Sequence, residues 1–224
     1  RSGSTLLTSL LNQRPDTYAS QTSNLCHTMG GAVKAWEEHP ATESGSESIG
    51  DILPVLEGMF SHKYADRTEK YIFDKSREWL SLVVLKTVSA IQSDIKIIAT
   101  VRPVAECLAS LVKIAKPSSR FNTDDVKDFC KNSPLAKHLF NSHARLKEVY
   151  ETRPDSVLFI EYDDLVRITA TQMDRISDFI GADHFNSHDF ANVSPSGEVD
   201  EVWEIDGLHD VRPVVGKQEY SARE

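Results

Sequence analysis

The stretch Ile95-Lys96-Ile97-Ile98-Ala99-Thr100-Val101 does most to restrict what this chain can fold into. It is β-branched and almost wholly apolar, and it stops abruptly at Arg102-Pro103, so it reads as a buried strand rather than one with a solvated face. Pro103 suits the first position of a helix, having a preset φ and no amide hydrogen to lose, and Val104, Leu108, Leu111 and Val112 continue at helical spacing to about Lys113. Two further apolar runs repeat the pattern. Tyr71-Ile72-Phe73 ends in Asp74-Lys75, and Val157-Leu158-Phe159-Ile160 ends in Glu161-Tyr162-Asp163-Asp164-Leu165. Strands that alternate with helices predict an α/β fold with a mainly parallel sheet covered on both faces. Ligands of such sheets bind beyond the C-terminal ends of the strands, where these charged residues lie.

Helical spacing is also predicted over Asn24 to Glu38, Ile49 to Tyr64, Trp79 to Ile91, and Ala170 to Ile180, where Gly181 closes the last. Thr123-Asp124-Asp125 caps a helical region that breaks near Pro134 and runs to Glu151. The segment His39 to Gly50, rich in Ser, Glu, Gly and Pro, reads as a surface loop, and Lys116 to Asn122 as another. Thr17 to Ser20 is short and β-compatible, and beyond Asn192 the composition becomes loop-like. With 224 residues, 40% of them hydrophobic, the chain can bury one substantial core, so a single domain spanning 1–224 is expected. A formal charge of −9 argues against a nucleic-acid surface, while leaving room for a local basic pocket. Three scattered cysteines, Cys26, Cys107 and Cys130, suit free thiols in a reducing, cytoplasmic setting. No window is apolar for long enough to span a bilayer.

At the start of the chain, Arg1-Ser2-Gly3-Ser4-Thr5-Leu6-Leu7 precedes an amphipathic run to Gln13. Small residues let backbone N–H groups converge on an anion, two hydroxyls add donors, and the following helix points its positive end at that anion. Two readings stand: a phosphate-type cradle, or a Ser-rich N-cap on an ordinary helix. A cradle of this kind normally follows a buried strand, so a strand ahead of Arg1 is expected. A second anion site is suggested by Arg102 and Ser110, which lies eight residues further on, provided the arginine reaches forward along its helix.

Together these stretches resemble the sulfotransferases that use 3′-phosphoadenosine 5′-phosphosulfate (PAPS). RSGSTLL is similar to that family's 5′-phosphosulfate loop, VRPVAECLAS to its 3′-phosphate element, and FIEYDDL to a third, less specific stretch. The resemblance implies a three-layer α/β sandwich related to P-loop nucleotide kinases. It further implies that Arg1 and the backbone of Ser2, Gly3, Ser4 and Thr5 hold the 5′-phosphosulfate, and that Arg102 and Ser110 hold the 3′-phosphate. Lys75 resembles the lysine that stabilises charge on the transferring or leaving group in the tyrosylprotein and related bacterial branches. Positioned cations are the main stabiliser of a sulfuryl transfer that uses no metal, so none is expected, and Lys75 is assigned as catalytic with Arg1. The product would be adenosine 3′,5′-bisphosphate, and the partner a small-molecule, glycan or peptide acceptor.

The chain departs from the family at the base. Where the tyrosylprotein branch has a Glu after the second strand, this chain has Gln21-Thr22, and neither side chain can take a proton at neutral pH. The candidates are His27 and then Asp74, with His62 and Glu37 behind them. Trp79 and Trp203 could flank a ring, although tryptophans are more often packed core or interface, and Arg212, Gly216 and Lys217 could fold over the 3′-phosphate, against the commoner alternative of a solvated tail. Two alternatives to a sulfotransferase remain at this stage. A P-loop kinase would need a Gly-Lys-Ser/Thr ending that this loop lacks, and a non-catalytic nucleotide-binding protein would account for the missing Glu.

Overall fold

The computed structural model describes residues 2–92, 94–116, 124–152, 154–195, 197–198, 200 and 205–216. Arg1, Trp203, Lys217 and residues 117–122 of the second loop lie outside the described residues. The elements run α1 (Ser4–Leu11), β1 (Thr17–Thr22), α2 (Leu25–Glu37), α3 (Pro40–Glu43), α4 (Leu53–Lys63), β2 (Tyr71–Lys75), α5 (Leu82–Ile91), β3 (Ile97–Val101), α6 (Val104–Ala115), α7 (Val126–Asn132), α8 (Pro134–Thr152), β4 (Val157–Glu161), α9 (Tyr162–Arg167) and α10 (Thr169–Ile180). All three apolar runs are strands, as their composition predicts. The Trp79–Ile91 expectation is divided: Arg77–Leu80 is a single 3₁₀ turn, and Ser81, in extended conformation, separates it from α5. A short helix forms inside the His39–Gly50 loop because Pro40 opens it and the His39 ring accepts from the Ala41 amide. Helix α9, which follows β4 without a loop, was not anticipated.

Among the described residues the strands pair in two parallel ladders, β1 with β2 and β3 with β4. Helix α1 ties the ladders to one core. Its Leu7, Leu10 and Leu11 share a buried cluster with Ala19 of β1, Ile160 of β4, and Met173 and Ile176 of α10. Side chains supply the polar ties. Asn12 pairs with the backbone of Ala19 in both directions, donating at 2.9 Å and accepting at 2.7 Å, and so extends the β1 edge. Arg14, only 6% exposed, grips Asp16 with two N–H bonds and donates to the Asp183 carbonyl at 2.8 Å. A planar fork is suited to such a buried junction.

Cys26 is fully buried on α2, and its thiol is pushed up to about 12, by burial first and then by the carboxylates of Glu78 and Asp74. A thiolate is what thiol reagents attack, so Cys26 should be labelled only on unfolding, whereas half-buried Cys130 reacts in the native protein. Equal labelling rates for the two in native protein would contradict this burial.

Candidate active site

The N-terminal cradle is built around Gly3. Its φ of 97° lies in the left-handed region, and a Cβ there would stand 2.7 Å from Tyr162 Cδ2. No side chain hydrogen-bonds the start of α1 as a cap, so the Ser-rich N-cap is not what forms. The opening amides of α1 instead lack intrahelical partners, as at the start of any α-helix, and sit at its positive end. The Ser2 hydroxyl is 3.0 Å from that of Thr100, which fastens the cradle to the C-terminal end of β3.

Tyr162, the first residue of α9, joins this cradle to the Arg102 element. One edge of its ring meets Gly3, and the Arg102 guanidinium carbon lies 4.4 Å from its centroid. The stretch FIEYDDL, the least specific of the three motifs, therefore supplies the piece that sets the other two side by side. Arg102, its side chain only 2% exposed, turns forward along α6 and donates from Nε to Glu106 at 2.9 Å. Ser110 is fully buried further along the same helix. The expected reach of Arg102 along its helix is thus seen for one turn, as far as Glu106.

Lys75 ends β2, where the β1–β2 register shifts: Ser20 and Gln21 together face Asp74, a local bulge. The bulge lets the Ser20 hydroxyl accept the Lys75 amide at 2.9 Å and the Ser23 amide donate to the Lys75 carbonyl at 2.8 Å. Held at the backbone in this way, Lys75 sends its Nζ to Thr5 Oγ1 of the cradle, 3.2 Å away. The ammonium also pairs with Glu198, whose side chain is 4% exposed. Burial draws the Lys75 pKa below its ordinary value. For Glu198, burial pulls the carboxyl upward, but Lys75, Thr22 and His209 together outweigh it and hold it below the usual range.

Of the candidate bases, Asp74 accepts from both Tyr64 Oη and Trp79 Nε1, the latter at 2.8 Å. Burial and this carboxylate drive the Tyr64 phenol far above its ordinary pKa. Trp79 is thus half-buried and tied to Asp74. His27 is exposed and lines the same cavity as Lys75 and Thr5. His62 is exposed and bonded to the Gly58 carbonyl of its own helix, and Glu37 is exposed at the end of α2. The cavity has a volume of about 1500 Å³. Its lining includes the apolar Ile72, Phe73 and Ile98 and the polar Ser2, Thr5, Lys75, Arg77, Arg102 and His209. Arg212 and Gly216 also line it. The lining carries both signs of charge, with Asp74, Glu78, Glu161 and Asp163 beside the cations.

Glu198, Asp200 and His209 were missed by sequence reasoning, since they stand in the loop-like region beyond Asn192, with no periodicity to mark them. Among the described residues no group of three or more His, Cys, Asp or Glu side chains could hold a metal ion, and no helix is long and apolar enough to cross a membrane.

Residues 1–186 match the profile of a family described as "Sulfotransferase family". No curated protein matches the sequence. Among solved structures, the chain is similar to the sulfotransferase domain from the Synechococcus PCC 7002 olefin synthase, with a TM-score of 0.55 at 17% identity. It is also similar to the sulfotransferase domain from the curacin biosynthetic pathway, with a TM-score of 0.52 at 15% identity. Each alignment covers 93% of this chain and 77% of the other. At such identities the likeness is one of fold.

Proposed function

We propose that this chain, which belongs to the sulfotransferase family, moves a sulfuryl group from PAPS to an acceptor hydroxyl or amine, in line and without a metal. The acceptor is a small molecule, glycan or peptide. The domain is read as the three-layer, nucleotide-kinase-like sandwich, with two parallel ladders and α1 packed against both in support. One observation carries the catalytic reading above the others: the Lys75 ammonium and the Thr5 hydroxyl meet at 3.2 Å, bringing a cation from a strand end to the positive end of α1. An anion seated on the cradle would lie against both. In this reading Arg1 and the backbone of Ser2, Gly3, Ser4 and Thr5 hold the phosphosulfate. Arg102, backed by Tyr162, and Ser110 serve the 3′-phosphate.

In the reaction the acceptor oxygen or nitrogen forms a bond to sulfur as the bond between sulfur and the bridging phosphate oxygen breaks. The electron pair stays on that oxygen. Lys75 stabilises the charge there, and the cradle amides hold the phosphate in line, so that most of the catalysis is positioning and electrostatics.

Calorimetry with adenosine 3′,5′-bisphosphate tests the reading, and absence of binding would overturn it. Arg102→Ala should weaken that ligand by roughly 10- to 100-fold, the worth of a charge-assisted contact. Adenosine 5′-phosphate, lacking the 3′-phosphate, should lose far less; equal losses would contradict the assignment of Arg102.

A further inference from the structure

The chain that ends at Lys75 runs on through three more ionisable groups, all from the segment beyond residue 186, where the family match stops. Glu198 Oε1 pairs with Lys75, and both carboxylate oxygens accept from the Thr22 hydroxyl, at 3.2 and 2.9 Å. The Thr22 amide donates to Oε1 at 3.2 Å. His209 Nε2 stands 3.4 Å from Oε2, while its Nδ1 donates to Asp200 at 2.6 Å and its amide to the same carboxylate at 3.1 Å. Gly197, at a φ of 74°, turns the chain so that the Gln21 amide reaches its carbonyl, pinning the segment to the end of β1. A carboxylate is thereby delivered to Gln21-Thr22, the neighbourhood in which the local sequence offers no base.

Resting on the sulfotransferase reading, we propose that Glu198 is the general base that takes the proton from the acceptor, with His209 and Asp200 as positioning residues behind it. Lys75 links Glu198 to the cradle, since a single ammonium touches both Thr5 and Glu198. When the anionic donor occupies the cradle, it competes for that ammonium. Lys75 then turns to the bridging oxygen, and the Glu198 oxygen it leaves faces the acceptor. Losing the cation also makes the carboxylate more basic. The proton passes from the acceptor to Glu198 as the bond to sulfur forms, and His209 holds the other carboxylate oxygen when its Nε2 also carries a proton.

The test compares the full chain with Glu198→Gln and Glu198→Ala. It measures calorimetric affinity for adenosine 3′,5′-bisphosphate and transfer of labelled sulfate from PAPS to water and to a mixed panel of phenol, alcohol and amine acceptors. Glu198→Gln should keep the affinity within a few-fold and slow transfer by about 10²- to 10⁴-fold, the usual worth of a general base. Added formate should restore part of the rate to Glu198→Ala and none to Glu198→Gln, an effect that a structural carboxylate would not produce. His209→Ala should lower kcat without raising the KM for PAPS. Transfer by Glu198→Gln at the wild-type rate or faster would overturn the proposal, making Glu198 a plug on Lys75, as would a wild-type chain that binds the bisphosphate yet transfers to nothing. A wild-type chain that fails to bind the bisphosphate removes the underlying reading instead, and the proposal with it.

Discussion

Replacing Lys75 with alanine should lower kcat for sulfate transfer by about 10²- to 10³-fold, the loss seen when one donor to a developing oxyanion is removed. Affinity for adenosine 3′,5′-bisphosphate should fall much less, because the charge that Lys75 meets grows only as the bond to sulfur breaks. The same substitution has a second effect that must be separated from the first. It strands Glu198, whose side chain is 4% exposed, without its cation. An uncompensated buried charge costs on the order of 3–5 kcal/mol, so the single variant should also melt earlier. The double variant Lys75→Ala/Glu198→Gln resolves the two, since it removes the stranded charge without returning an ammonium to the cradle. Its melting temperature should recover, while its activity should stay below that of Glu198→Gln alone, which lacks the same carboxylate but keeps Lys75. Activity equal to that of Glu198→Gln alone would mean that Lys75 only neutralises Glu198.

Gly3→Ala is the second large effect. Alanine at a φ of 97° is strained by about 1–3 kcal/mol before any contact is counted. Its Cβ would then stand 2.7 Å from Tyr162 Cδ2, nearer than side chains approach. The ring has little freedom to withdraw, being 6% exposed and covered on its face by Arg102. Either the cradle opens or the ring shifts, and a shifted ring disturbs Arg102. Binding of adenosine 3′,5′-bisphosphate should therefore drop by more than tenfold, with the 5′- and 3′-phosphate contributions lost together, as comparison with adenosine 5′-phosphate would show. Unchanged affinity in a folded Gly3→Ala variant would contradict this arrangement of the cradle.

Much of the fold was legible because burial and secondary structure leave periodic marks. Ile97–Val101 and Val157–Glu161 could be read as strands from their apolar runs, and the charged residues that follow them do lie at the cavity. The left-handed turn at Gly3 was legible because glycine is the residue that tolerates that conformation. Boundaries were less legible: Ser81 breaks what reads as one helix from Trp79, since an extended residue can sit inside an apolar run without altering its spacing. The part played by Tyr162 could not be read at all. A tyrosine after a strand says nothing of the glycine and arginine, distant in sequence, between which its ring is wedged.

The sequence by itself determined the four strands among the described residues, most of the longer helices and the parallel pairing of the strands. These are local properties, written in side-chain spacing and in the conformational limits of glycine and proline. Only the tertiary structure decided that Lys75 reaches Thr5 and that Tyr162 bridges Gly3 and Arg102. The same holds for Glu198, which comes from far along the chain to lie against Lys75 and Thr22. Such contacts join residues some 60 to 176 positions apart, and no local pattern encodes them. They exist because a folded core brings strand ends together, and because a buried cation and carboxylate are each costly to leave unpaired.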